Sequence, residues 1–284
     1  MKILLIGGLG YIGSFLYSFL KSSEYEVDIC DDCRRGNPEK IEVKYPYDYK
    51  GLSSKEISGY DFILWFAGHS SVLSANQDPK GAIDNNMTNL IDFLKKIPNE
   101  NIRFIYASTA SLYTGSPGLS KEDTKVIPYE NSYDISKFAF DYLAQSYHKN
   151  LIALRMGTLA GFSTNLRSEL IFNQMCTDAK FKKIVNVSNK SKIRSILFLS
   201  DLTALIKIFL GKIKLESGFY NLASYSLTIE ELAIRIAKFF DAKVVYQPDS
   251  PTYSFSVDTS KIERLGFKPL LSIDEQINEF QKHI

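Results

Sequence analysis

Seven residues near the N-terminus, Gly7-Gly8-Leu9-Gly10-Tyr11-Ile12-Gly13, set Gly7, Gly10 and Gly13 three apart, between an apolar run and a helical period. The chemistry this spacing serves is phosphate binding. A tight turn needs a residue free to take positive φ, and a pyrophosphate needs bare backbone. A helix N-terminus adds free N–H groups at its positive dipole end. Asp31 ends the next apolar run. Its carboxylate would accept both hydroxyls of an adenine ribose and repel a 2′-phosphate, which points to NAD. Arg34 and Arg35 follow closely and keep NADP as the less favoured option. The plainer reading is a glycine-rich turn with an accidental acid. The order strand, turn, helix, strand, acid argues against it.

The second constellation is Tyr133-x-x-x-Lys137. In a chain with 17 tyrosines the pattern is weak by itself, and it recurs at Tyr17 and Lys21. Position separates the two. Tyr17 and Lys21 lie along the helix after the glycine loop, too far along it to reach a nicotinamide. Tyr133 opens a helix, and Ser108-Thr109 closes the strand before it. Residues four apart share a helix face. An ammonium beside a phenol favours the phenolate, and each pKa unit below the ordinary ~10 is worth about 1.4 kcal/mol. Tyr133 is therefore expected to serve as a base near neutral pH, with Thr109 holding the substrate hydroxyl.

These groups need a scaffold that brings strand ends beside helix starts. Short apolar runs at Ile3–Ile6, Val27–Cys30, Asp61–Phe66, Phe104–Ala107 and Leu151–Leu154 read as strands. Helical periods lie between them, at Ile12 to Leu20, Met87 to Leu94 and Ser132 to His148. Strand–helix alternation of this kind means a doubly wound parallel sheet, an α/β Rossmann-like domain over residues 1–156. Beyond residue 156 the alternation loosens. Phe219–Leu222 and Val244–Tyr246 read as strands, Thr228–Phe240 as a helix with a Thr228/Glu231 capping box, and Asp274 to Phe280 as a last helix. Residues 157–284 are read as a smaller mixed α/β substrate lobe, with a strand or helix possible that crosses back to the first domain.

Composition excludes several classes. The 284 residues are 45% hydrophobic and 23% charged, a globular balance. A net charge of +2 gives no basic surplus for nucleic acid or a membrane surface. The run Ile63 to Ala67 is far short of the ~20 residues a span needs, and the apolar N-terminal stretch is too short for a signal peptide. A cytoplasmic protein is expected. Cys30 and Cys33 form a lone CxxC with no second Cys or His pair, so no metal is expected.

More residues extend the pattern: Asp31-Asp32, Trp65-Phe66-Ala67-Gly68, Asp78-Pro79, Asn86, Ala107 through Tyr113, and Tyr133 through Lys137. Leu154 through Thr158, Arg194 with Asp201, Tyr220-Asn221-Leu222 and Lys261 through Phe267 continue it. With these the chain resembles, along most of its length, an extended short-chain dehydrogenase/reductase of the nucleotide-sugar epimerase/dehydratase family. The resemblance implies a tightly held NAD and a nucleoside-diphosphate sugar as substrate. It makes Thr109, Tyr133 and Lys137 catalytic. It sets Tyr11, Ile12, Asp32, Phe66, Ala67, Gly68, Asn86 and Ala107 at the cofactor with Tyr133 and Lys137, and Asp48 with Tyr49 at the adenine. Ser70, Thr109, Asn165 and Arg194 fall to the substrate, with Arg194 gripping its pyrophosphate. A salt bridge from Arg194 to Asp201 is the alternative.

Departures from the family pattern narrow the reaction. Dehydratases of the family carry Asp-Glu after the threonine, decarboxylases a Glu at the second position, and reductases that also epimerise beside the ketone a Cys/His pair. Here Ala110-Ser111 stand there. What remains is hydride transfer at one carbon, hence a 4-epimerase, with a 4-reductase or 4-oxidase exchanging NAD(P)H as the alternative. A non-catalytic NAD-binding protein is the reading from another class, and an intact Thr109/Tyr133/Lys137 set argues against it. Finally, Ile135, Phe138, Ala139, Phe140, Tyr142, Leu143 and Tyr147 cover most of their helix's circumference, which implies a second buried face. A homodimer through the helices around 80–97 and 132–148 is expected, as the resemblance also implies.

Overall fold

The computed structural model describes residues 1–127, 131–212 and 215–284. The chain begins with β1 (Lys2–Ile6), α1 (Tyr11–Lys21), β2 (Glu26–Cys30), the short α2 (Ser54–Ile57) and β3 (Phe62–Trp65). Next come α3 (Val72–Gln77), α4 (Pro79–Ile83), α5 (Asn89–Leu94), β4 (Arg103–Thr109), β5 (Leu119–Ser120), α6 (Ser132–Tyr147) and β6 (Leu151–Met156). The second half holds β7 (Thr158–Ala160), α7 (Ile171–Lys182), β8 (Ile184–Val187), β9 (Ile193–Phe198), α8 (Leu199–Gly211) and β10 (Gly218–Leu222). It closes with β11 (Tyr225–Thr228), α9 (Ile229–Phe240), β12 (Lys243–Tyr246), β13 (Ser256–Val257), α10 (Ser260–Glu263) and α11 (Ile273–Gln281).

Six strands form one sheet in the order β10-β6-β4-β3-β1-β2, and every pairing in it is parallel. Parallel strands buried on both faces read as unbroken apolar runs, which is why β1, β3 and β6 were legible as strands. One face is covered by α1 and α8 through Leu16, Leu20, Leu205 and Phe209, the other by α5 and α6 through Leu90, Phe93, Phe140 and Ala144. Each such leucine or phenylalanine, fully withdrawn from water, contributes roughly 1.5–3 kcal/mol. Chain order reverses between β1 and β3, so a crevice opens at the carboxyl ends of these strands, where α/β sheets take their ligands.

The fold is the expected Rossmann-like doubly wound sheet with a mixed α/β lobe. β10 returns from far along the chain to pair with β6, Gly218 opposite Ile152, and α8 comes with it to cover the α1 face. The lobe itself is built on the mixed sheet β11-β9-β7 and on α7, α9 and α11, packed around Phe172, Phe198 and Ile236. Its helix α9 starts at the expected capping box, Thr228 accepting from the Glu231 amide and Glu231 accepting in return. The helix expected over Met87 to Leu94 is present as α5 from Asn89, and a π-turn at Asp84–Thr88 leads into it. The extra residue of the π-turn sets Asn86 inward, where it is fully buried.

Candidate active site

The glycine loop leaves β1 at Gly7, whose φ of +81° is closed to most side chains. A Cβ on Gly7 would stand 2.6 Å from the Ala67 nitrogen, and one on Gly13 would stand 2.1 Å from the Gly7 carbonyl oxygen. Gly7 and Gly13 therefore serve close packing of the loop against the β3 end and against α1. Gly10 caps α1, accepting from the Ser14 amide, and leaves the helix N-terminus open to the crevice. Tyr11 bonds away from it, donating to the Gly161 carbonyl at 2.6 Å.

A cleft of about 520 Å³ opens above this loop. At one end Asp31 is fixed by two amides: Leu9 N donates to Oδ2 at 2.9 Å and Cys33 N to Oδ1 at 2.8 Å. Asp32 pairs with Arg34 at 2.8 Å. Asp48 and Tyr49 line the same end; the Tyr49 ring meets Trp65 edge-on at 4.5 Å, and burial pushes its phenol up to about 12. Along the far wall run Phe66, Ala67, Gly68 and Ser70, with Trp65 Nε1 donating to the Ala67 carbonyl at 3.0 Å. Asn86 does not line the cleft. It lies behind that wall, donating to the His69 carbonyl and to Ser136 Oγ, each at 3.1 Å. Its role in the structure is to hold the Gly68–His69 turn.

The other end is made by β4 and the first turn of α6. Ala107, Ser108, Tyr133 and Lys137 face the cleft there. Asn131 caps α6 and so fixes where Tyr133 starts. Lys137 donates from Nζ to the Ala107 carbonyl at 2.8 Å, and burial pushes its ammonium down to about 8. Tyr133 departs from the sequence expectation. Burial pushes its phenol up to about 12, while a hydrogen bond with Thr109 pulls the other way and the Asp134 charge adds to the rise. The Lys137 ammonium is committed to the β4 carbonyl. In the cofactor-free protein Tyr133 is a neutral phenol at pH 7, not a phenolate.

Two expected substrate residues sit elsewhere. Asn165 reaches from the lobe to donate to the Leu9 carbonyl and so ties the lobe to the glycine loop. Arg194, on β9, lies away from the cofactor cleft between the rings of Tyr253 and Phe255, at 5.6 and 5.7 Å, and bonds Thr252. Its alternative partner is not there. Asp201 instead accepts from the Leu270 amide at 2.8 Å. Burial pushes Arg194 down to about 10, and its Nη1 is buried with no partner among the described residues. Sequence reasoning missed Arg167, which lines the cleft, donates to the Ser70 carbonyl at 3.2 Å and pairs with Glu169 at 2.7 Å. It also missed Ser111 and Asp134, buried beside Thr109. Arg167 lies outside every quoted motif, while Ser111 and Asp134 lie within them without a role assigned.

The cleft suits a dinucleotide on its own geometry. The glycine turn has no room for a Cβ at Gly7 or Gly13, Asp31 stands where a ribose needs an acceptor, and the buried Ser108 Oγ at the far end has no partner among the described residues. The sequence profile described as "NAD dependent epimerase/dehydratase family" matches residues 3–223. The chain belongs to this family. NAD is accordingly its cofactor, as the fixed Asp31 carboxylate predicts. Among relatives, the UDP-glucose 4-epimerase of Lactobacillus helveticus is 28% identical over 179 residues, 58% of this chain and 54% of that enzyme. The chain thus spans about half the length of that curated relative. Two solved members of similar fold are the UDP-glucose 4-epimerase of Thermotoga maritima with UDP-glucose and the dTDP-glucose 4,6-dehydratase of Streptomyces venezuelae with NAD. The first has a TM-score of 0.83 at 19% identity, covering 99% of both chains. The second has a TM-score of 0.84 at 21% identity, covering 100% of this chain and 98% of the other. Among the described residues no helix is long and apolar enough to cross a membrane.

Proposed function

We infer that this chain is a nucleotide-sugar epimerase acting at C4 through a transient 4-keto-sugar. The observation that carries the reading is the environment of Tyr133. It faces the cleft with Lys137 at the end of β4, and the two residues after Thr109 bring no acid to the cleft. Ala110 is fully buried, and Ser111 turns inward. Loss of water from the sugar needs an acid and a base beside the ring besides the tyrosine; redox at C4 does not.

Each residue then has a task. The glycine loop and the α1 N-terminus hold the cofactor pyrophosphate, and Asp31 holds the adenine ribose. Lys137 is placed to hold the cofactor's other ribose from the end of β4. Bound there, NAD would supply reversible hydride acceptance at that one carbon. Tyr133 exchanges the proton of the C4 hydroxyl. Arg194 offers a buried, unpaired N–H group to the substrate pyrophosphate, and Arg167 closes over the cleft from the lobe. Among solved members of similar fold, an enzyme with UDP-glucose supports a nucleoside-diphosphate sugar as the substrate class.

The dimer reading extends this. Ile135, Tyr142, Leu143 and Tyr147 stay exposed on α6, with Leu73 and Ile83 exposed on α3 and α4. A two-fold contact over this patch would cover the second apolar face of α6 in both copies.

Turnover on a panel of UDP-, GDP-, CDP- and dTDP-sugars without added cofactor tests the proposal. A C4 epimerase interconverts a pair of 4-epimers with NAD that co-purifies, and Tyr133→Phe abolishes this. Full turnover by Tyr133→Phe on every accepted sugar would refute the mechanism. Steady consumption of added NAD(P)H on a 4-keto-sugar would make the chain a reductase.

A further inference from the structure

The segment after β7 runs back along the glycine loop as a strap, tied down along its length. Tyr11 Oη donates to the Gly161 carbonyl at 2.6 Å, and Ser163 Oγ lies 2.8 Å from Ser14 Oγ on α1. Asn165 donates to the Leu9 carbonyl, and Arg167 Nη1 to the Ser70 carbonyl at 3.2 Å. Asn173 on α7 braces the strap. Its Oδ1 accepts from the Gly161 amide at 3.0 Å. Its Nδ2 donates to the Arg167 carbonyl at 2.9 Å and to Tyr11 Oη at 3.2 Å.

These contacts fix the course of the Arg167 side chain. Its main chain stands beside Tyr11, the first residue of α1, because both bond the same Asn173 amide group. Its guanidinium ends at Ser70, on the wall that follows β3. The side chain therefore crosses from the α1 N-terminus to that wall. A helix N-terminus after a glycine turn is where the pyrophosphate of a dinucleotide belongs. No side chain caps α1, and its first turn holds no acid.

Charge singles out the same residue. Arg34, Lys50 and Lys137 also line the cleft, but each has a place elsewhere. Arg34 pairs with Asp32, Lys50 lies 3.8 Å from Asp48, and Lys137 is held by Ala107 at the far end. The Arg167 side chain is only 11% exposed, whereas its ionic partner Glu169, 2.7 Å from Nε, is 64% exposed. Nε and Nη1 carry its two bonds, which leaves Nη2 for a further acceptor. The planar fork of a guanidinium matches phosphate oxygens.

We propose that Arg167 is a cofactor-binding residue, which grips the NAD pyrophosphate from the lobe and locks the cofactor under the strap. The α1 N-terminus meets the phosphates on one side and Arg167 on the other. Glu169 competes with them for the guanidinium. Release of NAD then requires the Arg167 grip to break and the strap to lift from Leu9 and Ser70. The proposal rests on NAD as the cofactor and is independent of the C4 reading. A cofactor held in this way suits a cycle that returns its hydride in place, and hinders one that exchanges NADH at each turnover.

Titration of cofactor-stripped protein with NAD, ADP-ribose and adenosine tests this without any sugar. ADP-ribose keeps the pyrophosphate, and adenosine lacks it. Arg167→Gln should weaken NAD and ADP-ribose alike, by about 10- to 100-fold, and leave adenosine unchanged. Arg167→Lys should recover only part of the loss, since an ammonium lacks the fork. Glu169→Gln should tighten ADP-ribose. An ion pair that merely braces the strap would make Glu169→Gln weaken it instead, and that result would overturn the proposal even if Arg167→Gln fails to fold. In a chase of holoprotein with excess ADP-ribose, Arg167→Gln should release NAD about tenfold faster or more. Wild-type affinity for ADP-ribose in Arg167→Gln would overturn the assignment, and a loss confined to UDP would give Arg167 to the substrate. An equal loss for all three ligands would also overturn it, as the mark of a damaged fold. If these affinities shift as stated while no sugar is epimerised at C4, the C4 reading falls and the Arg167 assignment stands.

Discussion

The Lys137 ammonium donates to the Ala107 carbonyl at 2.8 Å, so the first turns of α6 are tied to the last residues of β4. This bond keeps Tyr133 at the cleft, and it holds a cation in a site that is 5% exposed. Burial moves Lys137 from an ordinary 10.5 to about 8. Its folded value lies below its unfolded one, so between these values the unfolded chain binds the extra proton and stability rises with pH. Below about pH 8 the full cost is present, on the order of 3 kcal/mol. In cofactor-stripped protein, Lys137→Met should be more stable than wild type at pH 7. Denaturant unfolding from pH 8 to pH 10.5 should show that gap closing, and a constant gap would contradict the buried cation. The same substitution should lower kcat at least tenfold.

Gly13→Ala brings a Cβ to 2.1 Å from the Gly7 oxygen and 2.6 Å from the Gly8 Cα, both backbone atoms that cannot swing aside. Overpacking of this kind costs roughly 1–3 kcal/mol or more. Calorimetric unfolding should show the loss, and NAD titration should show binding weakened by more than tenfold. An unchanged NAD affinity would mean that the loop does not cradle the cofactor.

Asp31 keeps its orientation through the Leu9 and Cys33 amides, while Arg34 is held by Asp32. Isothermal titration should find NAD bound at least tenfold more tightly than NADP. Asp31→Asn should narrow that ratio by removing the charge that repels a 2′-phosphate. Equal affinities in the wild type would contradict this arrangement.

Leu143 is 42% exposed on α6, within the face left apolar by the fold. Light scattering at micromolar concentration should give twice the 32.2 kDa chain mass, and Leu143→Glu should reduce it to one. A single-chain mass for the wild type would leave the exposed face of α6 without its proposed cover.

Elements whose signals are local were readable from the chain. β1, β3, β4 and β6 announced themselves because both faces are buried, and α9 because its capping box lies within four residues. The glycine loop and the Tyr133/Lys137 pair were readable because their chemistry demands residue types at fixed spacing. The pairing of β10 with β6 was not, since register between strands so far apart in sequence leaves no local mark. Nor was the π-turn that buries Asn86. Asp134 and Ser111 lie within quoted motifs, and only packing shows that they meet. The partner of Lys137 was not readable either, because spacing tells which residues share a face and not where the Lys137 ammonium points.

A nucleotide sugar carrying deuterium at C4 tests the proposed reaction most directly. Mass spectrometry and NMR of the product locate the label after one pass in ordinary water. A C4 epimerase that removes and returns one hydride should give the 4-epimer with the deuterium still on C4 and no cofactor added. Deuterium moved to C6, released with free cofactor or lost to solvent would contradict it.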